Sequence, residues 1–189
     1  MDPILEGLVT STDADGRPHL APMGPRVSAD GNRLLLRPFP TSNTFRNLKR
    51  TGEGVLHVTD DALLLARAAL GVADLPAWQP ANLVSGFVLT DACRYMEFRV
   101  TRIDESGERV QLEADVVHAA TLRDFWGFNR AKHAIVEAAI LMTRLHLLPR
   151  EEVFADFRRF AVIVDKTAGP REREAFEFLQ SRLVAEGLT

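Results

Sequence analysis

Through residues 4–58 the chain is cut by turn signals into runs too short for helices. ILEGLVTS, HLAPMGPRVS and RLLLRPF are separated by TDADGRP and ADGN, whose Asp-Gly and Gly-Asn steps favour the tight reversals of hairpins. These runs predict a three-stranded antiparallel meander, with GEGVLHV (52–58) as a fourth strand. TDDALLLARAALG then changes to helical spacing, with Thr59 or Asp60 as cap and Gly71 as stop. ADLPAWQPANLVSG carries Pro76, Pro80 and Gly86 and reads as a loop packed by Trp78.

Strands resume at CRYMEFRVTRI, turn at DESGER and continue through VQLEADVVHAA. There Val110, Leu112, Ala114, Val116 and His118 alternate with Gln111, Glu113 and Asp115, the period of a half-buried strand. From Thr121 the period is helical as far as Pro149, with Gly127 able to split the segment. PREEVFADFRR predicts a short helix, FAVIVDK (160–166) a β-branched strand, and GPREREAFEFLQSRLVAEG a helix with Phe176, Leu179 and Leu183 on one face. Strands first and helices afterwards is an α+β order. The expected fold is an antiparallel split β-barrel of six or seven strands with peripheral helices and a helical C-terminal part. Residues 1–189 form one domain in this reading, with a helical annex at about 121–158 and a closing helix at about 170–187.

Composition narrows the functional classes. With 46% apolar and 26% charged residues over 189 positions, the chain can bury one full core. A net charge of -3 without a basic run argues against nucleic acid as partner. Cys93 stands alone, which excludes an intrachain disulfide and fits a reducing compartment. No stretch approaches the ~20 apolar residues of a membrane span, so the expectation is a cytoplasmic protein away from membranes.

The segment RPFPTSNTFRNLKR (37–50) holds more polar groups than one helix cap needs. Asn43 or Thr44 is the expected cap. A helix start offers unpaired N–H groups and partial positive charge; Thr41, Ser42, Asn43 and Thr44 add donors, and Arg37, with Arg46 or Lys49, adds charge for a phosphate dianion. The plainer reading is a redundant turn plus cap. His57, Asp60 and Asp61 have metal-ligand types, but Asp at a helix start is a routine cap. His133 and Glu137, a helical turn apart, lack a third ligand in sequence, and Arg130, Lys132 and Arg144 offer ion-pair partners. No metal site is expected. The chain has no Gly-x-Ser-x-Gly elbow, Walker loop or Gly-x-Gly-x-x-Gly.

GRPHLAPMGPRVS followed by RPFPTSNTFRNLK resembles the FMN-binding split-barrel superfamily, the pyridoxamine-phosphate-oxidase-like and flavin-reductase-like proteins. With VTDD before a helix, FNRAKHAIVEAAI and FAVIVDKTAGP, the resemblance is closest to the DUF447 family and spans nearly the whole chain. It implies FMN as cofactor, with Ala21, Pro22, Met23 and Gly24 approaching the isoalloxazine through backbone. It also implies that Arg37, Thr41, Ser42, Asn43 and Thr44 take the phosphate, with Pro38 and Phe39 near the ribityl chain or ring edge. An Arg-x-x-Ser-x-Lys phosphate motif is missing. A homodimer with FMN at the interface is implied, as is flavin-dependent oxidoreduction or flavin reduction of a small molecule such as a pterin or flavin. A non-catalytic FMN or phosphorylated-ligand carrier is the alternative. Arg130, His133 and Glu137 are candidates for the substrate face; catalytic residues are not assigned. The apolar Ala138, Ile140, Leu141, Leu145 and Leu148 are the bottom-up support for a partner.

Overall fold

The computed structural model describes residues 1–187. Its elements are β1 (Gly7–Thr12), β2 (Pro18–Met23), β3 (Arg26–Val27), β4 (Arg33–Leu36), α1 (Asn43–Thr51), β5 (Glu53–Val58), α2 (Ala62–Ala69), β6 (Trp78–Pro80), β7 (Phe87–Leu89), β8 (Arg94–Asp104), β9 (Gln111–Thr121), α3 (Arg130–Thr143), α4 (Arg150–Thr167) and α5 (Pro170–Ala185). They fall into two compact units, Met1–Thr59 with Asp74–Phe125, and Asp60–Ala73 with the chain from Trp126 onward.

The first unit is built on a seven-stranded antiparallel sheet in the order β2-β1-β5-β8-β9-β4-β3. Its two edge strands are consecutive in sequence: β2 ends at Met23 and β3 begins at Arg26. Three Cα steps reach at most about 11 Å, so the sheet must curl until its edges approach at that corner. Residues before β1 reinforce the closure, since Leu5 N–H donates to Pro25 O at 3.0 Å and Val27 N–H to Pro3 O at 3.0 Å. The expected α+β split barrel is therefore present, as a curled antiparallel half-barrel. Both pairings of the three-stranded meander are present, β1 with β2 and β3 with β4, but its middle run is broken between Met23 and Arg26 into two strands at opposite ends of the sheet order. Pro22 and Pro25 remove two ladder donors at the end of β2, which suits a strand edge and not continued pairing.

One face of the sheet packs Val9, Leu36, Leu56, Met96, Phe98 and Leu112 against Phe45 and Leu48 of α1. The other face carries Val55 and Tyr95 under Val84 and Val88. A bulge divides β9 between the two faces: Glu97 pairs with His118 while Phe98 pairs with Val116. The extra residue reverses the alternation, so His118 does not share the face of Leu112 and Ala114; it meets Tyr95 and Asn82.

Two buried polar groups fix this second face. His57 is fully buried; its Nδ1 donates to Leu8 O at 3.1 Å and its Nε2 accepts Leu89 N–H at 3.0 Å. Those bonds join β1, β5 and β7 and require a neutral ring, and burial pushes its pKa from 6.5 down to about 4. Glu97, also fully buried, accepts the backbone N–H groups of Asn82 at 2.7 Å, Leu83 at 2.6 Å and Val84 at 3.1 Å. Glu53 adds Ser85 N–H at 2.7 Å, and Arg99 donates to Leu83 O at 2.7 Å. The expected loop at 73–86 thus contains β6 and a segment whose backbone is bonded to carboxylates of β5 and β8.

The second unit is helical. Ala62, Leu63 and Ala66 of α2, Ala134, Ile135 and Ala138 of α3, Phe157 and Val164 of α4, and Phe176 and Leu179 of α5 form its core. The helix expected from Thr121 begins later. Thr121 closes β9, and Asn129 caps α3 by accepting Lys132 N–H at 3.1 Å. Phe160–Lys166, expected as a strand, lies inside α4. Val153, Phe157 and Val164 recur at helical spacing on its buried side, and that packing overrides the β-branched preference of the segment. Leu141, Leu145 and Leu148 pack on the same core, so the apolar stripe expected to need a partner is largely covered within the unit. α2 is capped by Asp61, one residue beyond the expected Thr59 or Asp60, through Leu64 N–H at 3.0 Å.

Candidate functional site

The strand-to-helix corner is built by β4 and α1. Leu36 and Pro38 are buried, which anchors the chain as it leaves the sheet, while Arg37 between them is exposed. Phe39, Pro40, Thr41 and Ser42 form a turn, with Ser42 N–H donating to Phe39 O at 3.0 Å. Ser42, not Asn43 or Thr44, is the cap. Its Oγ accepts Phe45 N–H at 3.1 Å and donates to Phe39 O at 2.8 Å. Both hydroxyl functions are thereby spent inside the protein.

Beyond the cap the corner retains groups without protein partners. The Asn43 and Thr44 amides precede the intrahelical ladder, which begins with Phe45 and Arg46 bonding to Ser42. Thr44 is only 2% exposed, yet its hydroxyl makes no hydrogen bond within the described chain. Since no buried polar side-chain atom among the described residues is left unsatisfied, that oxygen must reach the surface. Arg46 folds back over the corner, donating to Thr41 O at 3.1 Å and to Asn43 Oδ1. Of the two alternative cations Arg46 is the one that touches the corner, whereas Lys49 is engaged by Glu105 at 2.7 Å. Lys49 and Arg50 lie in the last turn of α1, where cations complement the helix dipole.

α1 packs beside β1 and β2. Asn47 Nδ2 donates to the buried Ser11 Oγ at 3.0 Å, and Arg50 donates to Thr12 O at 2.5 Å. This docking brings the second group of expected residues into the same unit. Ala21, Pro22 and Met23 lie on the edge strand β2 opposite Val9, Leu8 and Gly7, and Met23 packs on the cluster that holds Phe45 and Leu48. Gly24 follows the strand. A Cβ there would lie 2.9 Å from Ile4 Cγ2 and 3.0 Å from a Glu6 carboxylate oxygen, so the close approach that this glycine permits is used by the chain's own N-terminal segment. His19 on β2 is pulled below its ordinary pKa by burial, against the opposing pull of Asp13.

The other candidates belong to different surroundings. Arg130, His133 and Glu137 share the exposed side of α3 in the second unit, opposite the buried Ala131, Ala134, Ile135 and Ala138. Phe128 stands beside His133, with ring centroids 5.9 Å apart. His57, Asp60 and Asp61 do not form a metal site: His57 spends both nitrogens on backbone, Asp60 faces Lys132 at 3.5 Å, and Asp61 caps α2 and pairs with Arg171. Among the described residues no group of three or more His, Cys, Asp or Glu is arranged to hold a metal ion. No described helix is long and apolar enough to cross a membrane. Sequence reasoning missed Arg109, whose guanidinium carbon lies 3.7 Å from the centre of the Phe39 ring. Only the β4–β9 pairing reveals that neighbour, since the two residues are far apart in sequence.

Solved structures of low sequence identity share this fold. The FMN-bound DUF447 protein of Methanosarcina mazei superposes with a TM-score of 0.76 at 22% identity, covering 96% of this chain and 95% of that one. The 2-nitrobenzoate 2-nitroreductase of Pseudomonas fluorescens matches 64% of this chain and 66% of its own, with a TM-score of 0.53 at 18% identity. The styrene monooxygenase flavin reductase of Pseudomonas putida S12 matches 62% of this chain and 80% of its own, with a TM-score of 0.53 at 13% identity. At these identities the likeness establishes the fold. A search of curated proteins gave no match. Two family models account for most of the sequence: one described as "Protein of unknown function (DUF447) N-terminal domain" matches residues 5–123, and one described as "Protein of unknown function (DUF447)" matches residues 129–181. The chain belongs to the DUF447 family.

Proposed function

We propose that this protein is an FMN-binding flavoprotein that passes reducing equivalents to a small redox-active molecule of the pterin or flavin type. In this reading it works as a homodimer with the flavin at the interface. The observation that carries the reading is the start of α1, where the amides of Asn43 and Thr44 and the Thr44 hydroxyl have no protein partner and Arg37 and Arg46 supply charge. Unspent donors beside cations suit a phosphate better than a plain cap does. The FMN-bound relative of the same fold in Methanosarcina mazei supports the choice of phosphorylated ligand.

Bound FMN supplies hydride and single-electron chemistry. The chain's own residues do the rest. Thr44, Asn43 and the two arginines hold the phosphate, with Thr41 and Ser42 shaping the turn that presents them. β2, as an edge strand, offers backbone from Ala21 to Met23 to the ring, with Gly24 letting the N-terminal segment pack behind it, and Pro38 and Phe39 border the connecting chain. The exposed Arg130, His133 and Glu137 give α3 a face that can bind and orient a polar substrate and move a proton.

The test is a visible spectrum of the purified protein before and after addition of FMN, with unbound flavin removed. Retained flavin that bleaches with a reduced nicotinamide cofactor supports the oxidoreductase; retention without bleaching supports a carrier or another donor, and no retention removes the phosphate site. Arg37→Ala combined with Thr44→Ala is expected to weaken FMN binding by a few kcal/mol, on the order of 100-fold, because charge-assisted hydrogen bonds are lost. Unchanged affinity in a folded double variant would reject the assignment.

A further inference from the structure

β4 ends opposite Leu112, near the start of β9, so the loop entering β9 runs beside the chain leaving β4. Two side chains of that loop reach toward α1 and its approach. Glu105 takes the ammonium of Lys49, and Arg109 stacks on Phe39 while its Nη1 donates to Arg37 O at 3.5 Å. Phe39 O receives both the amide and the hydroxyl of Ser42, so Arg109 stands one residue removed from the helix cap. Unlike Lys49, Arg109 has no carboxylate partner.

We propose that Arg109 is a further cation of the phosphate site, held ready by its stack on Phe39, and that it makes the site selective for the phosphorylated flavin over riboflavin. This rests on reading the corner as a phosphate site. A guanidinium lying over a ring keeps its N–H groups directed outward in its own plane, the arrangement that grips a phosphate edge with two bonds. Arg109 commits one N–H group to Arg37 O, and the remainder are available. Phe39 is 56% exposed, a wide opening for an aromatic residue, and the stack gives that ring a use as the platform that restrains an otherwise free side chain. With Arg37 and Arg46, Arg109 makes a third cation at one corner of a chain whose net charge is -3.

The experiment measures FMN and riboflavin affinity by quenching of flavin fluorescence, at low and high salt, for wild type, Arg109→Gln, Arg109→Lys and Thr44→Ala. Arg109→Gln is expected to lose about 10- to 100-fold in FMN affinity. Its riboflavin affinity should stay within about twofold, and the salt dependence of FMN binding should become shallower. Arg109→Lys, which keeps the charge without the planar fork, should fall between the two. Equal FMN affinity in wild type and Arg109→Gln, or equal losses for FMN and riboflavin, overturns the proposal. If wild type does not prefer FMN to riboflavin, the phosphate reading fails and the inference with it. If wild type prefers FMN and Thr44→Ala weakens it while Arg109→Gln does not, the inference alone fails. Should Arg109→Gln not fold, as judged by circular dichroism, Arg109→Lys decides on the same FMN-to-riboflavin ratio.

Discussion

His57 carries two strands' worth of bonding on one imidazole, and it can do so only while neutral. A proton added at Nε2 would face the Leu89 N–H that this nitrogen now accepts. The folded pKa of about 4 lies below the unfolded 6.5, so the unfolded chain takes up its proton first as pH falls. The contribution is complete above the unfolded value and is lost as pH falls through the folded one, a span worth about 3 kcal/mol. Urea unfolding at about pH 7.5 and about pH 4.5 should show this loss in wild type and a loss smaller by about 2–3 kcal/mol in His57→Gln, which keeps a donor and an acceptor without titrating. An equal loss in both would place the acid sensitivity elsewhere. At this scale the sequence was informative about residue types and poor about assignments. The excess of donors at TSNT was visible, but which hydroxyl becomes the cap depends on the turn from Phe39 to Ser42. Arg109 could not be found without knowing that β4 lies beside β9.

Among the elements, the loop between β6 and β7 illustrates how a carboxylate can replace a strand as backbone partner. Three successive amides converge on the fully buried Glu97 and supply the donors that water would otherwise give its oxygens. Glu97→Gln turns a charged acceptor into a half-donor facing amide donors, and is expected to cost about 2 kcal/mol. The same variant should be cleaved faster by proteases between residues 81 and 86; unchanged stability and cleavage would show that the loop is held by Glu53 and Arg99 alone. Periodicity identified β9 as far as Val116 and the helix α5 because each has one clear apolar face there, whereas β8 is buried on both faces from Tyr95 to Phe98. It missed the second face of β9, since one bulged residue shifts every side chain after it. It also misread Phe160–Lys166, where β-branched residues sit on a helix whose register is set by Val153, Phe157 and Val164.

At the scale of the whole molecule, the two units interleave along the chain. α2 is encoded between β5 and β6 of the sheet but packs its Ala62, Leu63 and Ala66 with α3 and α5. A fragment ending at Phe125 would keep every strand and leave that helix without its apolar partners. Such a fragment is expected to aggregate in size-exclusion chromatography, and Leu63→Glu with Ala66→Glu should return it to a discrete species; a monodisperse parent fragment would contradict this account. The sequence order of strands and helices predicted the α+β class correctly, yet it could not show that an early helix belongs with the late ones. The same interleaving sets a schedule for the growing polypeptide. α2 is made roughly 60 residues before α3, an interval of about 3–12 s at ordinary elongation rates. Throughout that interval its apolar side has no permanent neighbour, which makes it a stretch of the nascent chain that needs a temporary one.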